Sequence, residues 1–345
     1  MNNKILHVAG YSTFMPSFLN LLQNYFNQKN HTLIVNPSPN KIELPKPVTV
    51  VEYEYSLTGQ IQYSLKLINE MHKAEKIIIH GLFDLKSILV LFAMPWLLKK
   101  CYWVIWGGDL YIYQLGRRSI FWHIQEFIRR PVIENMGHLV TYIPGDVDLA
   151  RKWYRAKGDY HECLMYLSNT YKSLDVPSAK TDTINIQIGN SADPSNNHIQ
   201  ILEKLLPFKD ENIKIYAPLS YGDKSQAEEV IVKGKELFGD KFIALTDFMP
   251  LEEYLQFLGN IDIAIFNHKR QQAMGNTITL LGLGKTVFIR SDTTQWQLFK
   301  DKNIEVLDTL NFGLNYINSV EKNIKNTADY FSKKTLIKQY KLLFK

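Results

Sequence analysis

Cysteine is nearly absent. Cys101 and Cys163 are the only two in 345 residues, which excludes a disulfide framework and a cysteine-based zinc site. Cys101 opens the apolar run CYWVIW and reads as a small buried hydrophobe. Long hydrophobic runs are lacking too. The longest, SILVLFAMPWLL from Ser87 to Leu98, is closed by Lys99 and Lys100 and falls short of the roughly 20 residues that span a bilayer. It is expected to be a helix packed in a core, with interfacial membrane contact as the lesser reading. MNNKILHVAG runs directly into a strand, with no apolar stretch followed by a small-residue cleavage site, so a cytoplasmic protein is expected.

Several signatures are also missing. Gly10 stands alone in HVAGYSTF, so the three spaced glycines of a dinucleotide site are not there, which argues against a nicotinamide or flavin enzyme. Gly282 to Lys285 (GLGK) lacks the first glycine and the spacing of a P-loop. Asp146 and Asp148 in GDVD read as a helix start rather than a metal pair, and no other ligand cluster stands out. No metal and no cofactor is expected.

What remains is ordinary globular composition, 46% hydrophobic and 21% charged, with length for about two domains. The net charge of +6 is uneven: Arg117, Arg118, Arg129, Arg130, Arg151, Lys152, Arg155 and Lys157 crowd one region, and lysines from Lys322 to Lys345 crowd another. No reading helix or finger accompanies them, so nucleic acid is not the expected partner. Attraction to an anionic membrane surface fits better, and solvated helix faces are the plain alternative.

Short apolar runs alternate with helical patterns throughout, the signature of a parallel α/β sheet. Strands are expected near Ile5 to Ala9, Thr32 to Asn36, Val48 to Tyr53, Lys76 to His80, Tyr102 to Trp106, His138 to Ile143 and Cys163 to Leu167. The stretch Asn169 to Thr183 is polar, aperiodic and contains a proline, so it reads as a linker. A second set of strands follows near Ile184, Ile213, Phe242, Ile261, Val287 and Ile304. Two doubly wound domains, residues 1–175 and 176–345, are the most economical architecture, with ligands beyond the C-terminal ends of strands and a cleft between domains as the expected site.

The richest strand end is Ile261 to Asp292, where His268, Lys269, Arg270, Gln271 and Gln272 lie between two apolar strands. Cationic and amide donors, the flexible Gly275, and a helix start at Asn276 converge there, as a diphosphate site requires. After the strand at Ile184 come Gly189, Asn190 and Ser191, with Asp193 as a helix cap and Pro194 as the first helical residue. Ser220 and Tyr221 follow another strand, where a structural turn role is equally open. Phe248 and Met249 follow a third, and Phe248 could present its ring to a base. In the first half, His80 precedes Gly81, and Asp109 follows Gly107 and Gly108. Asp109 is expected at a cleft mouth as a base or hydroxyl acceptor, and His80 either there or bonded to backbone in a core.

The segments IGNSADPSNNHIQIL, YAPLSYGD, TDFMPLEEYLQFL and FNHKRQQAMGNTITLLGLGK, with IHGLFD and WVIWGGDLY upstream, resemble the 4-acetamido-4,6-dideoxygalactosyltransferases of enterobacterial common antigen synthesis, the TDP-N-acetylfucosamine:lipid II N-acetylfucosaminyltransferases. The resemblance covers most of the chain, and IGNSADPSN and RQQAMGN are its most specific parts. It implies a GT-B fold of two Rossmann-like domains, the second holding a dTDP-sugar donor and the first a polyprenyl-diphosphate-linked acceptor. It implies a peripheral enzyme at the cytoplasmic face of the bacterial inner membrane, retaining and without a metal. Arg270, Gln271, Gln272, Gly275 and Asn276 would then contact the diphosphate, with Gly189, Asn190 and Ser191 nearby. Phe248 and Met249 would lie toward thymine, and Asp109 and His80 would face the acceptor. Many retaining GT-B enzymes place glutamates in this donor loop, whereas this chain has Gln271 and Gln272. A sugar-nucleotide 2-epimerase of like fold and a non-catalytic sugar-nucleotide-binding protein are the alternatives; few carboxylates in the site loops disfavour the epimerase.

Overall fold

Apolar, β-branched runs recur between capped helices, and most of them become short parallel strands. A computed structural model describes residues 4–173 and 182–345. They form two units, Met1–Ser168 with Lys333–Lys345, and Asn169–Ser332.

In the first unit the order is β1 (Ile5–Ala9), α1 (Met15–Tyr25), β2 (His31–Val35), β3 (Thr49–Val51), α2 (Leu57–Lys73), β4 (Lys76–His80), α3 (Leu85–Ala93), β5 (Cys101–Val104), α4 (Gly108–Leu115), α5 (Ile120–Glu134), β6 (His138–Thr141), α6 (Pro144–Tyr154) and β7 (Asp159–Glu162). The sheet runs β3-β2-β1-β4-β5-β6-β7, all parallel. Strand order therefore reverses between β1 and β4. Right-handed crossovers put α2, α3, α5 and α6 on one face and α1 on the other. Side chains on β1 follow suit: Leu6 and Val8 join the core under α2 and α3, while His7 turns the other way, toward Phe18 of α1. Ser56, Asp84 and Ser119 cap α2, α3 and α5 by accepting backbone N–H groups, which satisfies amides that have no partner within the helix.

The second unit comprises β8 (Ile184–Ile188), α7 (His198–Leu205), β9 (Ile213–Pro218), α8 (Lys224–Phe238), β10 (Phe242–Leu245), α9 (Leu251–Gly259), β11 (Ile263–Phe266), α10 (Met274–Gly282), β12 (Thr286–Ile289), α11 (Thr294–Asp301), β13 (Leu307–Asp308) and α12 (Val320–Tyr330). Its parallel sheet runs β10-β9-β8-β11-β12-β13, with the reversal between β8 and β11.

The last helix, α13 (Lys333–Leu343), belongs to the first unit rather than to residues 176–345 as expected. Its face Leu336, Tyr340 and Leu343 is buried, and Tyr340 and Phe344 pack on Phe26 of the α1 side. An amphipathic stripe announces a helix but not its partner. The strand expected at Cys163 to Leu167 is also displaced. β7 precedes it, at the sheet edge, and its sequence DYHE has no buried residue to betray it. Met165 has φ +60°, outside any strand. Most of the expected linker, Asn169 to Thr183, lies outside the described residues.

Candidate functional site

In the second unit the loops after β8 and β11 meet beside the strand-order reversal, where open α/β sheets bind ligands. Gly189 ends β8 with φ +63°, and its N–H donates to the Ile265 carbonyl at 3.0 Å. A Cβ there would stand 2.4 Å from His198 Nε2 and 2.7 Å from Asn196 Oδ1, so only glycine fits. Asn196, fully buried, ties the loops together. Its Oδ1 accepts from the Asn190 amide at 2.9 Å and from His268 Nε2 at 2.8 Å. Its Nδ2 donates to the Asp193 carbonyl and to Ser191 Oγ. Across the same seam Asn197 Nδ2 donates to the Asn267 carbonyl at 2.9 Å, and the Ser195 hydroxyl donates to Gln272 Oε1 at 2.7 Å.

The loop between β11 and α10 thereby acquires a fixed shape. Burial holds His268 down at about 3, with the Arg270 and His198 charges adding to it, so the ring is neutral. Because Nε2 donates to Asn196, Nδ1 is left an acceptor, buried and without a protein partner. Arg270 is half-buried beside Asp193 and His268, and its Nη1 donates to the Gln271 carbonyl at 3.1 Å. Burial would raise the Asp193 carboxyl, but hydrogen bonds from Ser195 and the Arg270 charge hold it below the usual range. Ala273 adopts φ +56° and α10 begins at Met274. The amides of Met274, Gly275 and Asn276 therefore have no acceptor within their helix, and Gly275 and Asn276 are half-buried there. A guanidinium, three such amides and the positive end of a nine-residue helix together suit a diphosphate.

The loop after β9 joins this group. The Ala192 amide donates to the Tyr221 carbonyl at 2.8 Å and Asn190 Nδ2 donates to Tyr221 Oη at 3.0 Å. Ser220 is half-buried on that loop. Met249 is half-buried and Phe248 is 81% exposed, on the loop after the edge strand β10, two strands from β8. Four contributors were not foreseen from sequence: Gln187, Asn196, His198 and Tyr254. Gln187 Oε1, the Tyr254 hydroxyl and both ring nitrogens of His198 are buried without a protein partner, as is Oδ1 of the expected Asn190. Tyr254 faces the side chains of Gln187 and Asn276. Asn196 and His198 had a signal, the polar run DPSNNH directly after a strand end. Tyr254 had none, because it sits on a helix and arrives only through packing.

The first unit does not place Asp109 or His80 as acceptor-facing bases. Asp109 is 1% exposed. Its Oδ2 accepts from the Leu82 amide at 2.9 Å and Trp103 Nε1 at 2.7 Å, its Oδ1 from the Trp106 and Leu110 amides at 3.0 and 3.1 Å. Gly107, at φ +84°, turns the chain so that this carboxylate points inward and clamps the loops after β4 and β5. Burial raises its pKa, opposed by the Leu82 and Trp103 bonds and by Arg129. Arg129 in turn donates to the Leu82 and Asp109 carbonyls at 2.9 and 2.6 Å. His80 is buried within a chain of rings on the α1 side. Trp106 Nε1 donates to Tyr166 Oη at 3.1 Å; Tyr166 Oη lies 2.6 Å from His80 Nδ1, His80 Nε2 3.1 Å from His7 Nδ1, and His7 Nε2 2.9 Å from His31 Nδ1. Every link is satisfied if each imidazole carries its proton on Nε2. Burial lowers all three histidines, His80 to about 3 and His31 to about 4, so the chain is neutral.

Two parallel, doubly wound units, one with an anion-suited loop at its strand-order reversal, define the GT-B class of fold. Solved structures agree on the fold. Sucrose-phosphate synthase from Thermosynechococcus elongatus superposes with a TM-score of 0.68 at 11% identity, over 99% of this chain and 98% of that one. HepE from Anabaena in complex with UDP gives 0.66 at 9% identity over 99% of both chains. WaaG, a glycosyltransferase involved in lipopolysaccharide biosynthesis, gives 0.62 at 10% identity over 99% of this chain and 98% of its own. The family model of the 4-alpha-L-fucosyltransferases, glycosyl transferase group 56, matches residues 13–331. The chain belongs to this family, that of the TDP-fucosamine transferases its strand-end segments resemble.

Proposed function

We propose that this glycosyltransferase moves 4-acetamido-4,6-dideoxygalactose, or a related deoxy-aminosugar, from a dTDP-sugar to a polyprenyl-diphosphate-linked saccharide in cell-envelope glycan synthesis. It works as a peripheral protein at the cytoplasmic face of the bacterial inner membrane. The observation that carries the reading is the Asn196 seam, which brings Arg270 and the start of α10 to the end of β8 within a chain of this family. HepE, of the same fold, is described with UDP, and that supports a nucleoside diphosphate leaving group.

In this reaction the acceptor hydroxyl bonds the anomeric carbon while the bond from that carbon to the diphosphate oxygen breaks. Arg270 and the amides of Met274, Gly275 and Asn276 stabilise the charge that collects on the diphosphate, which is where preorganised donors act most strongly. No metal is required for that stabilisation. With Asp109 and His80 buried, the departing phosphate oxygen takes the acceptor proton, a route that goes with retention of configuration. Gln271 and Gln272 offer amides, not carboxylates, to the sugar hydroxyls, and Phe248 offers its exposed ring to thymine.

A thermal-shift series with dTDP, UDP, GDP, CMP and NAD tests the donor class, because a ligand bound only by the folded state raises the melting temperature. Selective stabilisation by dTDP is expected. Stabilisation by UDP alone would move the assignment to a UDP-sugar enzyme, and silence toward every nucleotide would remove the donor site.

A further inference from the structure

The helices α3 and α5 are apolar on two sides. Toward the sheet, α3 buries Ile88 and Leu91 and α5 buries Trp122, Val132 and Ile133. Toward the outside, α3 exposes Leu85, Leu89 and Phe92, spaced four and three residues apart, and α5 exposes Ile120, Ile124 and Phe127 in the same spacing. Each set is a stripe along one helix face. Phe121 at 74% exposed and Phe127 at 72% stand well clear of the fold, and Trp96 follows α3 at 60%. The stripes are continuous with each other: α3 packs beside α5, and the Phe92 and Phe127 rings come within 6.3 Å. A third stripe, Leu57, Ile61 and Leu65 of the neighbouring α2, extends the same face of the sheet. Single exposed hydrophobes are ordinary, but a contiguous face across three helices marks an interaction surface.

Charge selects the partner. Between Leu85 and Ile133 the only carboxylates are Asp109 and Glu126, and both are buried. Exposed cations in that stretch are Lys99, Arg117, Arg118 and Arg130. Arg118 lies over the Trp122 ring at 3.8 Å, and Arg130 over Tyr113. A second copy of this chain docking face to face would set cations against cations, whereas an anionic lipid surface complements them. The lysine-rich α13 cannot share the task from its own position, since it packs on the α1 side of the sheet. Among the described residues no helix is long and apolar enough to cross a membrane, so the contact is interfacial.

We infer that the outer face of α3 and α5, extended by α2, is a membrane-docking surface that seats Phe92, Trp96, Phe121 and Phe127 at the headgroup boundary of an anionic bilayer. This deepens the reading of a lipid-linked acceptor and rests on it for its purpose, but its test is independent of the nucleotide. Burying one phenylalanine at such an interface strengthens binding roughly tenfold or more.

The test is cosedimentation of the full chain with vesicles of phosphatidylethanolamine and phosphatidylglycerol, and with phosphatidylcholine alone, across a salt series. Binding to the anionic vesicles is expected, weakening with salt. Phe121→Ser and Phe127→Ser should each lower the partition coefficient about tenfold, and Arg117→Glu with Arg118→Glu should lower it on anionic vesicles only. Lipids brominated along their acyl chains should quench the fluorescence of bound protein, and less so in Trp96→Phe. All of these variants should keep the nucleotide-induced rise in melting temperature, so that a failed membrane contact is distinguished from a failed donor site. Absence of wild-type sedimentation, or phenylalanine variants that bind as tightly as wild type, overturns the inference. So does a concentration-dependent dimer in light scattering that the same variants abolish, because the face would then belong to a second copy.

Discussion

Asn196 and His268 come from different loops and share one hydrogen bond, His268 Nε2 donating to Asn196 Oδ1 at 2.8 Å. The same oxygen accepts the Asn190 amide, so one side chain sets both the loop after β8 and the protonated nitrogen of His268.

Replacing Asn196 by Ala removes four hydrogen bonds at once. A stability loss of about 1–3 kcal/mol is expected from the buried donors left unpaired, together with loss of the dTDP-induced thermal shift. A variant that melts earlier yet responds to dTDP as fully as wild type would reduce Asn196 to a purely architectural residue.

Gly189→Ala should be worse tolerated than its small size suggests. The left-handed backbone alone costs an alanine roughly 1–2 kcal/mol, and the overlap with His198 Nε2 at 2.4 Å adds to it. Calorimetry should show a clearly lowered melting temperature; an unchanged one would mean that the loop is not held as described.

Arg270 and Lys269 are adjacent cations with different standing. Lys269 is exposed, whereas Arg270 is half-buried beside Asp193 and His268. Loss of a charge-assisted bond to phosphate corresponds to roughly ten- to hundredfold in affinity, expected for Arg270→Ala in dTDP titration calorimetry. Lys269→Ala should change it only a few-fold, and the reverse ranking would reassign the diphosphate contact.

Asp109→Asn separates clamp from base. The asparagine amide would turn N–H groups toward some of four N–H donors, costing on the order of 1–3 kcal/mol or more. The melting temperature should fall, while the pH profile of kcat/KM in the surviving enzyme keeps its shape. A lost acidic limb with unchanged stability would instead make Asp109 a catalytic base.

Acid should destabilise the protein through its neutral histidines. His31 is lowered to about 4 and His80 to about 3, with burial as the first cause. An unfolded histidine titrates near pH 6.5, so between there and about 4 the unfolded chain binds protons that the folded one refuses. Stability is therefore complete above about pH 6.5 and declines as pH falls, by about 2 kcal/mol per such ring at pH 5. Melting temperatures flat from pH 7.5 to 5 would falsify this account.

The sequence discloses these elements unevenly, for physical reasons. Strands buried on both faces, such as IIIH at β4 or IAIF at β11, appear as apolar runs, while the edge strand DYHE has no such run. The strand-end loops are legible because left-handed turns and helix caps demand Gly, Asn, Asp and Pro in order, as in GNSADP. Direction is not legible: nothing local says that Asp109 turns inward toward Leu82 and Trp103. The His7, His31 and His80 chain was likewise hidden, since it depends on the pairing of β2, β1 and β4 in register.

The return of α13 to the first unit has a consequence for synthesis. Residues 169–332 leave the ribosome as one continuous unit and can fold as soon as they emerge. The first unit must wait, because Phe26 and His31 receive Tyr340 and Phe344 only when Lys333–Lys345 have been made. At about 5–20 residues per second the delay is on the order of ten to thirty seconds. During that interval the nascent first unit, complete but for Lys333–Lys345, displays an aromatic seam, which makes it a natural client for chaperones that hold unfinished chains.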